Sequence, residues 1–536
     1  MLWLWAAFAV QAVQSAEYKA VHAVAANGNI ESLHSGPGYV RRESRSSQDA
    51  SFVHQEPVSK VVVSATEAVS NLTVKSGGDQ AVTVWKDQEK EAATAMSLSL
   101  LASIGFVLSV FYMVNTSNTM LQVATWRLLA SSISLFSVIL LFMVMKKGWK
   151  TMMGSSESSE AKVISDVLSF LRYLILLFLT PFLLKKKMET ESLKQCIRIV
   201  GVHLVGFAGA DAFTDILKQD VFNSGPYMYF LGVLCVCLLL GAIQWGMRKW
   251  RARSEGSTTS APEASGEAAG GSEAPPADAA AAAAATDSAA PSSSGFAALV
   301  EEMEMEIVAF TVGFLFSMWL RFCITGAVPG ARYGRKTTGD DVNWLFCFAL
   351  LTFLFAAAFA KFVLPNAENL SPTLGRLVKT LSAVLWMTFG WLVFYLCQWF
   401  LWNFTADDAN GAHHTAKLIA ANGLALMGSV LVFFPMVVGH LLKRSSWMTS
   451  PTFVNIASLI LAFSWETAVY TAVQGASETV EGETMQKVLA MIDLVIILVV
   501  ILPGWYIYML PSARAEAKEE ANADAAAEDK PPEAAT

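Results

Sequence analysis

Apolar residues occupy this chain in long unbroken runs rather than in alternating or one-sided patterns. A helix that crosses a bilayer needs about 20 consecutive apolar residues, with a range of roughly 17–25. Runs of that length fall near 96–114, 125–145, 163–184, 196–217 and 227–247, then near 306–326, 343–364, 376–402, 415–439, 453–474 and 488–510. The pattern predicts an all-α, polytopic integral membrane protein with about eleven transmembrane helices. The 96–114 run is rich in serine, and 196–217 is the most polar of the set. An amphipathic helix lying in the headgroup interface is a second reading of 196–217.

Landmarks recur along the two membrane halves. Arg127-Leu128-Leu129 opens the second run and Arg376-Leu377-Val378 the eighth; Ala161-Lys162 precedes the third and Ala416-Lys417 the ninth. Pro181 and Pro435 fall late in the third and ninth, each followed by basic residues. The recurrence predicts two parallel five-helix repeats with the run near 306–326 as a connector helix, because one extra crossing gives both repeats the same orientation.

The polar stretches complete the organisation. Met1 to Ser15 reads as a signal peptide, too short to cross a bilayer. Residues 16–92 read as an extracytoplasmic, largely disordered arm, with an organelle transit segment as the alternative because Arg41, Arg42 and Arg45 sit among serines. The first membrane repeat then covers 93–250, a disordered Ala/Ser/Pro/Gly-rich cytoplasmic linker 251–298, the connector helix 299–330, the second repeat 340–511 and an acidic cytoplasmic tail 512–536. Linker and tail are candidate docking segments for protein partners. The N-terminus is expected outside and the C-terminus in the cytosol, in a membrane of the secretory pathway or the plasma membrane, or in an organelle membrane reached by that route. Asn71 and Asn403 are the N-glycosylation acceptors on the outer side.

Composition narrows the function classes. The chain is 54% hydrophobic and only 15% charged, against about 25% charged in an ordinary soluble domain. The net charge of −7 resides largely in linker and tail. No basic face for nucleic acid is present. The six cysteines lie in or beside apolar runs and read as core thiols, not as a disulfide framework or a metal site. Asp407, Asp408, His413 and His414 match no common metal-ligand spacing and read as a solvated loop. No phosphate-binding loop or hydrolase motif occurs, so the expectation is no enzyme and no cofactor.

The candidate chemistry is charge placed in apolar helices. A charge at the centre of a membrane helix costs about 2.5–3.5 kcal/mol on insertion scales, so such a residue needs a partner or water. His203, Asp211 and Asp215 share one face of the run at 196–217. Glu466 stands at the corresponding place in the second half, within a stripe that includes Asn455, Ser458, Thr467 and Tyr470. These residues, with Arg172, form the expected path for a small ion or solute in a secondary transporter or channel. The alternative is a non-transporting scaffold in which Asp211 and Glu466 pair with buried bases such as Arg172 and Arg321. Gly206 and Gly209 are expected to let helices approach closely. Arg127 and Arg376, at helix starts, read as interface anchors.

Overall fold

The computed structural model describes residues 103–153, 159–185, 191–256, 293–327, 337–405, 413–442, 447–477, 482–512 and 515. The signal peptide, the N-terminal arm with Asn71, most of the linker, nearly all of the tail and the side chains of the Asp407–His414 cluster lie outside these residues. The chain divides into two units, Met1–Ser109 and Val110–Thr536. Within 96–114, the apolar helix that is described, Ser103–Val114, is shorter than a span.

Among the described residues every long element is a helix, and ten helices are long and apolar enough to cross a membrane. They are α1 (Thr119–Met153), α2 (Ser159–Lys185), α3 (Glu191–Leu217), α4 (Pro226–Gly256), α5 (Ser293–Thr325), α6 (Gly339–Phe362), α7 (Pro372–Thr405), α8 (His413–Leu441), α9 (Pro451–Ser477) and α10 (Glu483–Gly504). Local chemistry sets several ends. Asn118 Oδ1 accepts from Leu121 N at 2.9 Å where α1 begins. Thr338 and Asp341 form a reciprocal capping box at α6. Such caps satisfy N–H groups that the first helical turn leaves without partners. Pro181 and Pro435 lie inside α2 and α8, which continue through them. Beyond α10 the chain makes a π turn, Trp505–Met509, and Trp505 Nε1 donates to the Ala130 carbonyl at 2.8 Å.

The helices form two layers. The odd-numbered ones close an inner ring in the order α1, α3, α5, α7, α9, each packed on the next and α9 on α1. The even-numbered ones lie outside: α2 on α3, α4 on α5, α6 on α7, α8 on α9 and α10 on α1. Burial agrees with the layering. The most apolar stretches of the inner helices are 50–61% buried, against 17–28% for α2, α4, α6 and α10, with α8 the exception at 50% because it also packs on α7. The outer helices therefore turn much of their apolar surface outward, as lipid-facing helices do.

Three sequence expectations change here. The 196–217 segment keeps its first reading, a helix long and apolar enough to span, and loses the interfacial alternative: Val205, Ala208, Ala212 and Phe213 of α3 are all fully buried. Its carboxylates are matched by cations, Asp211 by Lys146 and Arg172 and Asp215 by Lys218. Arg376 is not an interface anchor but is buried against acidic side chains of α5. Of the six cysteines only Cys397 is a core thiol, while Cys235, Cys323 and Cys347 lie on exposed helix faces. An apolar run has no side of its own until the helix packs, so its small apolar residues face core or lipid alike.

Candidate functional site

Each inner helix contributes one aromatic ring to the middle of the bundle. Phe207 of α3 meets Phe310 of α5 at 4.7 Å between centroids, Phe463 of α9 at 5.5 Å and Phe142 of α1 at 6.0 Å. Trp391 of α7 closes the set, 5.6 Å from Phe310 and 4.4 Å from Phe463. Most of these pairs are edge-to-face or tilted, and such pairs contribute about 0.5–1.5 kcal/mol each beyond their buried area. Close approach of α3 and α5 depends on glycine. A Cβ at Gly206 would sit 2.9 Å from the Phe310 ring, and one at Gly209 3.0 Å from Thr311 Oγ1.

On one side of this aromatic plug lies a cavity of about 1140 Å³. All five inner helices line it, together with the ends of α6 and of the segment after α10. Its polar wall carries Arg127, Arg198, His203, Glu302, Glu306 and Lys379, and Phe310 joins it to the plug. Arg198 Nη2 lies 2.6 Å from Glu302 and 3.9 Å from Glu306. The His203 ring stands edge-on to Phe310 at 6.4 Å, so it marks the inner reach of the polar wall.

The same end of the bundle holds a buried ionic hub. Glu304 of α5 is 2% exposed and lies 2.8 Å from Arg376 of α7 and 2.6 Å from Arg251 of α4. Glu301 adds a second contact to Arg376 at 2.9 Å, and the Glu304 carbonyl accepts from Gln244 at 2.8 Å. The hub clamps α4, α5 and α7 together. Losing one member of such a buried pair typically costs about 3–5 kcal/mol, because the remaining charge has no partner.

On the far side of the plug the expected path residues appear. Asp211 follows Phe207 by four residues and Glu466 follows Phe463 by three. Both therefore stand about one helical turn, roughly 5 Å, beyond the rings. Asp211 is ion-paired to Lys146 of α1 and, at 2.8 Å, to Arg172 of α2. The Arg172 guanidinium also lies 4.9 Å from the Phe142 ring centre, which couples the charged group to the plug. Glu466 is 1% exposed within α9. Asp215 pairs with Lys218 at 3.4 Å on its own helix. The structure thus brings Asp211 and Arg172 together, and places His203 apart from them in the cavity wall. Neither Asp211 nor Glu466 lines the cavity. Asp166 of α2 accepts from Gln219 at 3.1 Å. Asn403 Oδ1 accepts from Thr337 at 2.7 Å at the end of α7.

Arg321 of α5 meets neither Asp211 nor Glu466 in any ion pair among the described residues. It is 4% exposed and sits 3.8 Å from the Tyr395 ring centre and 5.4 Å from that of Trp399. Each cation–π contact is worth roughly 0.5–2 kcal/mol, which offsets part or all of the roughly 2.5–3.5 kcal/mol of placing the charge there. The rings cannot accept a hydrogen bond in line with Nε, which has no partner among the described residues.

Sequence reasoning missed Lys146, Glu304 and the Arg198 pairs. Lys146 closes the apolar run of α1 and reads as a loop residue. The acidic cluster from Glu301 to Glu306 reads as a solvated helix start; its spacing by three and four around buried Met303 and Ile307 was the available signal. Comparison with protein-family models, with curated proteins and with solved structures finds no match to this chain.

Proposed function

We propose that this multi-pass membrane protein is a carrier or channel for a small solute or ion, with its path along the axis of the inner ring. One observation carries the reading: five helices enclose a cavity of about 1140 Å³ at one end, and each supplies one ring to an aromatic constriction below it. Hydrophobic constrictions of this kind close a pathway by excluding water. His203 and the Arg198–Glu306 wall are the groups a solute meets first. The Asp211 group with Lys146 and Arg172 is the closure on the far side, with Glu466 and Asp215 beside it. The cavity end, where α4 brings Arg248, Lys249, Arg251 and Arg253, is the cytosolic end by the excess of basic residues. The membrane is one of the secretory pathway or the plasma membrane. The double pairing of Asp211 favours the second reading, a membrane scaffold whose buried charges only join helices and whose linker and tail recruit proteins.

Proteoliposome uptake separates the two. The probes are rubidium, iodide, phenyltrimethylammonium and benzenesulfonate, which carry fixed charge and cross lipid slowly. At least one should enter in a protein-dependent manner, and Ala383→Trp, which fills the cavity wall, should reduce that uptake at least tenfold. The scaffold reading stands instead if no probe enters above the level of protein-free vesicles.

A further inference from the structure

A second site is built where α4, α5 and α7 meet, away from the axial cavity. Its centre is Arg321, buried beneath Tyr395 and beside Trp399. One guanidinium nitrogen, Nη1, reaches the thioether of Met318 at 3.4 Å, a weak acceptor, and the neutral Tyr395 side chain supplies a further hydrogen bond to the guanidinium. Nε has no partner among the described residues. Tyr229 of α4 is fully buried, interacts electrostatically with Arg321, and its hydroxyl also has no hydrogen-bond partner among the described residues. Gln398, one turn along α7 from Tyr395, is 6% exposed with its Oε1 likewise without a partner.

The charge pattern around the bundle makes Arg321 the exception. Asp211 is matched by Lys146 and Arg172, Glu304 by Arg251 and Arg376, and Glu302 by Arg198. Arg321 has no carboxylate in ion-pair range among the described residues. A buried charge is retained where a counter-charge and hydrogen bonds meet it. An N–H and an O–H donor without partners among the described residues lie on one seam beside a fixed positive charge, and the acceptors near it, the Met318 thioether, Tyr395 and the Gln398 amide oxygen, are all neutral, so the charge still calls for a negative acceptor. Burial on every side favours a compact one over a lipid headgroup.

We infer that Arg321, with the Tyr229 hydroxyl, binds a small monovalent anion such as chloride between α4, α5 and α7. The anion accepts from Arg321 Nε and Tyr229 Oη, and the rings of Tyr395 and Trp399 shield it from water. It ties an outer helix to two inner ones, so it stabilises the native bundle in proportion to its concentration.

The test uses the purified full-length chain in an uncharged detergent, melted in sodium chloride or sodium gluconate at equal ionic strength. Gluconate, a bulky polyhydroxy carboxylate, is the comparison anion that the burial of Arg321 and Tyr229 should exclude. The melting temperature should rise with chloride and saturate, and acetate should substitute for chloride. Arg321→Met should remove the chloride response, and Tyr229→Phe should raise the half-saturating chloride about tenfold. Arg321→Lys, which keeps the charge, should retain a weaker response. Should Arg321→Met not fold, the Tyr229→Phe titration decides alone. Equal melting in chloride and gluconate overturns the assignment, as does a chloride response unchanged in the variants. Neither result bears on uptake through the axial cavity.

Discussion

Asp211 shows how much one residue's role depends on its neighbours. Read alone it is a carboxylate in an apolar helix, suited either to carry protons or to hold helices together. Its contacts with Lys146 and Arg172 make it the counter-charge for two cations from two other helices. Asp211→Asn should therefore lower stability by about 2–4 kcal/mol, somewhat below the roughly 3–5 kcal/mol of a fully buried pair, because Lys146 keeps 34% of its exposure. Thermal melting in detergent measures this. Adding Lys146→Met to Asp211→Asn should recover part of the loss, since one of the two stranded cations is removed. A single variant as stable as the wild type would argue against the pairing. Arg172 was legible as a candidate counter-charge, a cation inside an apolar run; Lys146 was not, because it stands at the end of its run, 65 residues away in the chain, and reads as loop.

At the scale of the helix, small residues set how closely two neighbours pack. Gly206 and Gly209 suggest close packing in any apolar helix, and the structure identifies the neighbour as α5. Gly206→Val should force Phe310 from its place and cost about 1–3 kcal/mol, the usual penalty for overpacking. Gly148→Val, where a Cβ would meet nothing within 4 Å, serves as the control and should melt close to wild type. The hub at Glu304 belongs to the same scale. The length of its apolar run identifies α5 as long and apolar enough to cross a membrane, but the acidic residues at its start are meaningful only once Arg251 and Arg376 are brought to them.

At the largest scale, the ten long helices among the described residues sort into a ring of five and a surround of five. The sorting places a cavity and a constriction on one axis. Phe310→Ala, which removes one of five rings, should widen the constriction and raise passive iodide or rubidium leak through proteoliposomes several-fold over wild type. Leak at the wild-type level would show that the rings do not limit passage. The ring also bears on the expected repeats: α1 packs on α3 as α7 packs on α9, and α2 on α3 as α8 on α9, whereas α1 meets α9 directly and α5 stands between α3 and α7.

Run length and composition were enough to determine the ten long apolar helices found among the described residues, because burial in lipid demands about 20 apolar residues whatever the fold around them. They also picked out His203, Arg172, Asp211, Asp215 and Glu466, since charge in such runs is costly wherever it occurs. Only the tertiary structure decided which face of each helix turns inward, and so which charges meet and which rings form the plug. Van der Waals packing and ion pairing between helices depend on side chains far apart in sequence, and an apolar run that suits lipid suits a protein interior equally well.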